Sequence, residues 1–279
     1  MMPAGPPIRR QLIGAALRRY RVAFGCTLAD AAETLHCDKS KIWRIEAGER
    51  GLRLPDLRAL LAEYGVDQAS EAALLAMADP SGMTGWWSAH DCLSEAEQEY
   101  MALEAMSVLA CYYSPLHVPE LLQAPAYAEA RHEADTGMAT VGVPSPAVEA
   151  VLARQDATLD GARDLRAVIT EAALSQATGR HEVMRQQAAH LARLAEARRV
   201  DIRVLPFDAP AHPAPAIGAV SILSFSATAG ISVAHVPGIT TRQFLTGKVA
   251  ARCAHTFEQL RANALPPEES IAFLRNLAA

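Results

Sequence analysis

The sequence predicts a mainly α protein with a smaller α/β part: an N-terminal five-helix bundle, then a larger α+β domain with about four short strands. Three observations carry this. Up to residue 79, apolar residues recur every three to four positions in short runs punctuated by glycines. At "DPSGMTGWW" the breakers Pro80, Gly82 and Gly85 crowd together. Beyond them, four short β-branched runs appear among helical stripes. The 279 residues, 51% hydrophobic and 20% charged, suffice for one large domain or two ordinary ones.

Residues 1–7, rich in Pro, Gly and Ala, are expected to form a flexible arm. The bundle is expected over 8–79. Its first helix is indicated by Leu12-Ile13, Ala16-Leu17, Tyr20 and Phe24, and Gly25 stands where a left-handed C′ residue is needed. Thr27 is the expected N-cap of the second helix, with Asp30 completing a capping box. That helix must be short, because His36-Cys37-Asp38 comes directly after it. Asp38 is expected to cap a third helix ending at Gly48. "LPDLRALLAEYG", with Leu57, Leu60, Leu61 and Tyr64 on one face, gives the fourth, and Asp67 to Ala78 the fifth.

A linker is expected over 80–93 and the larger domain over 94–279. In the latter, a long helix is predicted from Ser94 to about Cys111, then a loop and short helix through "YYSPLHVPELLQAPAYAEA". Val148, Val151, Leu152 and Leu159 mark another helical stripe. "LRAVIT", "DIRVLPF", "AVSILSF" and "GISVAHV" are expected strands. The second is preceded by a helix with Met184, Ala188, Leu191 and Ala195 on one face. Two helices close the chain, around Phe257–Leu260 and Ile271–Leu277, the latter started by Pro266-Pro267.

The second and third helices form a candidate reading head. Ala32 stands where they cross, and Ile42 and Ile45 can anchor the third helix inward. A turn of about 100° per residue then puts Ser40, Trp43, Arg44 and Ala47 on the outer face, with Lys39 at its flank. Arg can hold guanine in a fork, Ser or Lys a base edge or phosphate, and Trp a thymine methyl. Charge fits this placement: residues 1–66 hold 11 Lys/Arg against 7 Asp/Glu, whereas the whole chain carries −5.

On these residues, 9–66 resemble an Xre/Cro-type DNA-binding domain, with "DKSKIWRIEAGER" similar to that family's recognition helix and the turn after it. Two positions depart from the pattern: Leu28 replaces the usual Gln, and His36 the usual Gly of the turn. The resemblance implies double-stranded DNA as partner, and since one small reading head rarely gives enough specificity, a homodimer on an inverted repeat is expected. It gives Lys39, Lys41 and Arg9 or Arg10 to phosphates, and Ser40, Trp43 and Arg44 to bases.

Nearly all of 86–279 resembles the C-terminal domain, of unknown function, of multidomain Xre regulators of actinomycetes, some of them antitoxin-like. The motifs are "GWW", "LEA", "VPELLQAPAYAEA", "RQ", "EAAL", "IRVLPF" and "LPPEES". Glu120 and Ala124 depart from the family's glycine and threonine. Trp86, Trp87, Glu104, Gln123, Tyr127, Arg154, Gln155 and Glu171 are polar or aromatic residues set in apolar stripes. They either line a pocket for a small effector or partner protein, or are structural, with Glu104 paired to Arg154 and the aromatics in the core.

Other classes find little support. The five cysteines are scattered, with no C-x-x-C pair, and the nine histidines show no ligand spacing beyond His90-Asp91-Cys92, so no metal or cofactor is expected. No G-x-S-x-G and no nucleotide-binding Gly loop argue against an enzyme. Without an apolar h-region or a spanning segment, a cytoplasmic protein with no membrane contact is expected. Two alternatives remain open: an antitoxin-like module holding a small partner protein, with DNA binding as autoregulation, and a C-terminal domain turned enzyme.

Overall fold

The computed structural model describes residues 8–79, 81, 84–137, 144–159, 163–176, 178–213, 218–225, 231–238 and 243–279. The expected arm over 1–7 lies outside them. The bundle comprises α1 (Ile8–Phe24), α2 (Leu28–Thr34), α3 (Lys39–Glu46), α4 (Leu54–Glu63) and α5 (Gln68–Ala78). Its core is the apolar stripe of α1 (Leu12, Ile13, Ala16, Leu17) meeting Ile42, Ile45, Leu57, Leu60, Leu61 and Leu74. Capping tracks the sequence closely. Thr27 and Asp30 form a reciprocal capping box on α2, and Asp67 accepts from the Ser70 N–H at the start of α5. Asp38 is the N-cap of α3 by position only, since its carboxylate makes no capping hydrogen bond.

The larger domain begins, after a 3₁₀ turn at Trp86–Ala89, with α6 (Glu95–Met106). The predicted long helix stops there, because Ser107 turns the backbone extended and its hydroxyl donates to the Glu104 carbonyl. The next element is a strand, β1 (Leu109–Ser114), which corrects the expectation of a helix reaching Cys111. Then come α7 (Pro125–Thr136), α8 (Pro146–Thr158), β2 (Asp164–Thr170), α9 (Glu171–Ser175), α10 (His181–Glu196) and β3 (Asp201–Leu205). After these stand β4 (Val220–Ser224), β5 (Ser232–Val236), β6 (Gln243–Leu245), α11 (Gly247–Asn263) and α12 (Pro267–Ala278). The described strands make one mixed sheet in the order β3-β2-β1-β4-β5-β6. β1, β2 and β3 are parallel; β4, β5 and β6 pair antiparallel. All four predicted strands are present; β1 and the three-residue β6 are additional.

The sheet is covered on both faces. Ala110, Tyr112, Leu165, Ala167, Ile169, Ile202 and Val204 share a core with Leu191 of α10 and Leu274 of α12. Cys111, Tyr113, Val168, Leu205 and Ile222 pack on Phe257 and Leu260 of α11. Burial on both faces explains why these strands read as continuous apolar runs. The edge of β3 is closed by the chain itself: Ser270 Oγ accepts from the Val204 N–H at 3.0 Å and donates to the Leu265 carbonyl at 3.1 Å, while the Leu265 N–H reaches the Val204 carbonyl. On α8 the fully buried positions are Val148, Ala150, Arg154, Gln155 and Thr158; Val151 and Leu152 are only half-buried.

The two parts touch. The Ile8 N–H at the start of α1 donates to Glu99 Oε1 of α6 at 3.2 Å, and burial pushes the Glu99 carboxyl above its ordinary value. Among the described residues no helix is long and apolar enough to cross a membrane.

Candidate nucleic-acid interface and the buried polar centre

The reading head is built from its turns. α2 ends with the His36 N–H on the Glu33 carbonyl and the Cys37 N–H on the Ala32 carbonyl, a Schellman arrangement that needs a left-handed residue at His36. His36 adopts it, with φ +46°. Gly25 and Gly48 do the same after α1 and α3, at φ +84° and +76°. A non-glycine residue in this region costs ~1–2 kcal/mol. His36→Gly is therefore expected to raise the thermal midpoint of the full chain by a few degrees. A lowered midpoint would mean that the imidazole holds the turn through contacts that outweigh the strain.

With that turn in place, Ile42 and Ile45 are buried and Trp43 stands 54% exposed. Lys39, Ser40, Arg44 and Ala47 are exposed beside it, and Lys41 is half-buried at the flank. Arg44 Nε donates back to the Ser40 carbonyl at 3.3 Å, laying the side chain along the helix with the far end of its guanidinium outward. At the start of α3 no side chain caps the helix, and the Lys41 N–H donates to the Asp38 carbonyl at 3.0 Å. Arg10 is exposed near the turn after α3, 3.7 Å from where a Cβ on Gly51 would stand. Arg9 differs. Its Nη1 donates to the Met77 and Asp79 carbonyls at the end of α5, so it clamps the bundle and is not held out toward phosphate.

α3 is fixed by two features that the sequence reading did not single out. Arg21 of α1 and Glu46 of α3 form a buried two-point pair, Nε–Oε1 2.6 Å and Nη2–Oε2 2.9 Å, and Arg21 Nη1 reaches the Cys26 carbonyl. The hydrogen bonding to Glu46 raises the Arg21 guanidinium above its ordinary value. Gly14 lies against the last turn of α3, where an added Cβ would stand 2.7 Å from the Glu46 carbonyl oxygen.

In the larger domain the eight candidate residues fall into three groups. Glu104 and Arg154 meet in a buried pair, Nη2–Oε1 2.6 Å and Nε–Oε2 2.8 Å. The hydroxyls of Tyr100 and Tyr112 donate to Glu104 Oε1 at 3.1 and 2.7 Å. Burial by itself would push the Glu104 carboxyl up, but the Arg154 charge and the four hydrogen bonds outweigh it and hold it below its ordinary value. Burial likewise opposes the Arg154 charge, and Glu104 more than offsets it.

Gln123, Tyr127 and Gln155 serve the backbone of the segment between β1 and α7. Gln123 Nε2 donates to the Val118 carbonyl, and the Val118 N–H donates to the Tyr127 hydroxyl. Gln155 Nε2 donates to the carbonyls of Glu120 and Gln123 at 2.9 and 2.8 Å. Gln187 of α10, absent from the candidates, completes the set, accepting from the Ala124 N–H and donating to the Leu122 carbonyl. The signal in the sequence is an amide set within the apolar face between Met184 and Leu191, and the structure buries it fully.

The remaining three stand apart. Trp87 is buried and Trp86 half-buried, their rings edge to face at 5.9 Å. Glu171 accepts from the Phe207 N–H at 2.8 Å, just beyond β3. His90 packs its ring on Trp86, and among the described residues no group of three or more His, Cys, Asp or Glu could hold a metal.

Comparison with known families agrees with the two parts. Residues 12–75 match a family described as a helix-turn-helix domain, and residues 98–276 one described as a domain of unknown function, DUF5753. Neither curated proteins nor solved structures gave a match. Since the second match spans well over half of the sequence, the chain belongs to the DUF5753 family, with a helix-turn-helix domain on the N-terminal side of that domain.

Proposed function

We propose that the chain is a sequence-specific transcriptional regulator of the Xre/Cro type, acting in the cytoplasm. In this reading it binds an inverted-repeat operator as a homodimer, and the DUF5753 domain senses an effector or docks a partner protein without catalysing a reaction. The observation that carries the reading is the outer face of α3, where an indole 54% exposed stands beside exposed Ser40 and Arg44 on a helix anchored by buried Ile42 and Ile45. Exposed apolar side chains are common, so it is the company of this indole that supports the reading: hydroxyl and guanidinium groups able to meet base edges share its face. Base readout falls to Ser40, Trp43 and Arg44, and phosphate contact to Lys39, Lys41 and Arg10.

The test is selection of genomic fragments by the purified full-length chain, then titration on the selected site and on random DNA. Arg44→Ala is expected to weaken specific binding by ~1–3 kcal/mol and relax one base position. Lys39→Ala is expected to weaken binding to both DNAs alike and to reduce the salt dependence. Equal losses on both DNAs for Arg44→Ala would show that this side chain touches only phosphate. Failure to enrich any sequence with folded protein at low salt would overturn the reading.

A further inference from the structure

We propose that the buried Arg154 is a seat for a small organic monocarboxylate, and that Glu120 is the chain's own occupant of that seat. The inference rests on reading the DUF5753 domain as a sensor and names the class of ligand.

Arg154 has a side chain only 6% exposed. Its Nε and Nη2 are closed from behind by Glu104, and Nη2 also reaches the Tyr100 hydroxyl at 3.3 Å. The outer nitrogen, Nη1, donates to Glu120 Oε2 at 3.1 Å. The two carboxylates are unequal. Glu104 makes a short two-point contact, is 2% exposed and also takes two tyrosine hydroxyls. Glu120 makes one contact, and its side chain is 49% exposed. Glu104 is thus the permanent counter-ion, and Glu120 an anion that can leave for water at little cost. Its departure frees Nη1, whose N–H groups can make a charge-assisted hydrogen bond to one oxygen of an incoming carboxylate.

A second observation lies beside it. Ser114, at the C-terminal end of β1, is 2% exposed, and its hydroxyl is buried with no hydrogen-bond partner among the described residues. It lines the same cavity of about 90 Å³ as Arg154 and Glu120. A buried hydroxyl left unpaired is costly, and a ligand oxygen would pair it. The place is also apt, since ligands of open sheets sit beyond the carboxyl ends of parallel strands.

Glu120 lines two further cavities, of about 160 and 130 Å³. An outward swing of its side chain would open the seat toward all three, whose combined space enters the ~300–1,000 Å³ range of small-molecule sites. Charge selects the ligand. A monocarboxylate replaces Glu120 with no change in local charge, whereas a dianion would place a second negative charge beside Glu104 with one guanidinium to meet both.

The experiment titrates the full-length wild type, Glu120→Ala and Glu120→Gln with acetate, propionate, pyruvate and benzoate, and with acetamide and benzamide as uncharged counterparts. Unfolding midpoints are measured on the same samples. Removing the internal competitor is expected to tighten at least one carboxylate ten-fold or more in both variants, because the competent seat is then always open. Neither amide should bind, and Ser114→Ala on the Glu120→Ala background should weaken the gain. If the folded variants bind none of the four acids better than the wild type, or bind acid and amide alike, the seat is overturned. Operator binding on the same preparations separates the two ideas. DNA binding without carboxylate binding sinks the seat and leaves the regulator. Carboxylate binding that leaves operator affinity unchanged supports the seat and counts against sensing.

Discussion

Glu104→Ala is expected to destabilise the full chain by ~3–5 kcal/mol, enough to unfold a marginal domain. The substitution strands Arg154 in the core with only Glu120 as counter-ion and leaves the hydroxyls of Tyr100 and Tyr112 without their acceptor. An uncompensated buried charge is far costlier than a missing pair. Glu104→Leu together with Arg154→Met is therefore expected to recover most of the loss in urea unfolding. A single-mutant cost below ~1 kcal/mol would mean that the guanidinium escapes to the surface beside Glu120.

Acid gives the same test without a mutation. The folded-state carboxyl of Glu104 lies below its ordinary value, so its contribution is present in full above the unfolded value of about 4.3. That contribution is lost as pH falls from there through the folded-state value. Stability measured from pH 6 downward should fall more steeply for the wild type than for the double variant, and parallel curves would remove Glu104 as the cause.

The bundle was legible in the sequence because its signals are local. The capping box Thr27–Asp30, the left-handed residues after α1, α2 and α3, and the stripe Leu57, Leu60, Leu61, Tyr64 each involve residues a turn or two apart. β1 was not legible. Its "LACYYS" holds two tyrosines but no β-branched residue, and burial on both faces removes the alternation that would set it apart from the helix before it. In the larger domain several of the family-like motifs turn out to hold polar ties. "LEA" holds Glu104, "RQ" the Arg154 that pairs with it and the Gln155 that serves a loop, and "LPPEES" the Ser270 that closes the edge of β3. The pair Glu104–Arg154 was within reach of the sequence because two charges in apolar stripes must meet something. Glu120 was not: a glutamate on a loop gives no hint that it touches a buried arginine 34 positions away.

Gly14→Ala should do to α3 what Glu104→Ala does to the sheet domain. Inside a helix a glycine reads as a weakness of about 1 kcal/mol relative to alanine, so sequence alone would forecast stabilisation. The packing reverses the sign. A Cβ at Gly14 would stand 2.7 Å from the carbonyl oxygen of Glu46 and 3.0 Å from its carbonyl carbon. These are backbone atoms, so no rotamer change relieves the clash, and α1 and α3 must move apart. Glu46 is also the partner of Arg21 at 2.6 Å, so the shift stretches the buried pair that sets the angle of the reading helix. The expected stability cost is ~1–3 kcal/mol after the helical gain. On the proposed reading of α3, operator affinity should fall at least ten-fold under conditions where the variant is still folded, because ångström displacements would break base contacts before they unfold the bundle (about 1.4 kcal/mol for each ten-fold). Gly51→Ala is the control: its Cβ would meet only the Arg10 guanidinium, at an ordinary 3.7 Å, and should change neither quantity. If Gly14→Ala binds the operator as the wild type does, the contact between α1 and α3 does not set the reading geometry, and Arg21 with Glu46 must do so alone.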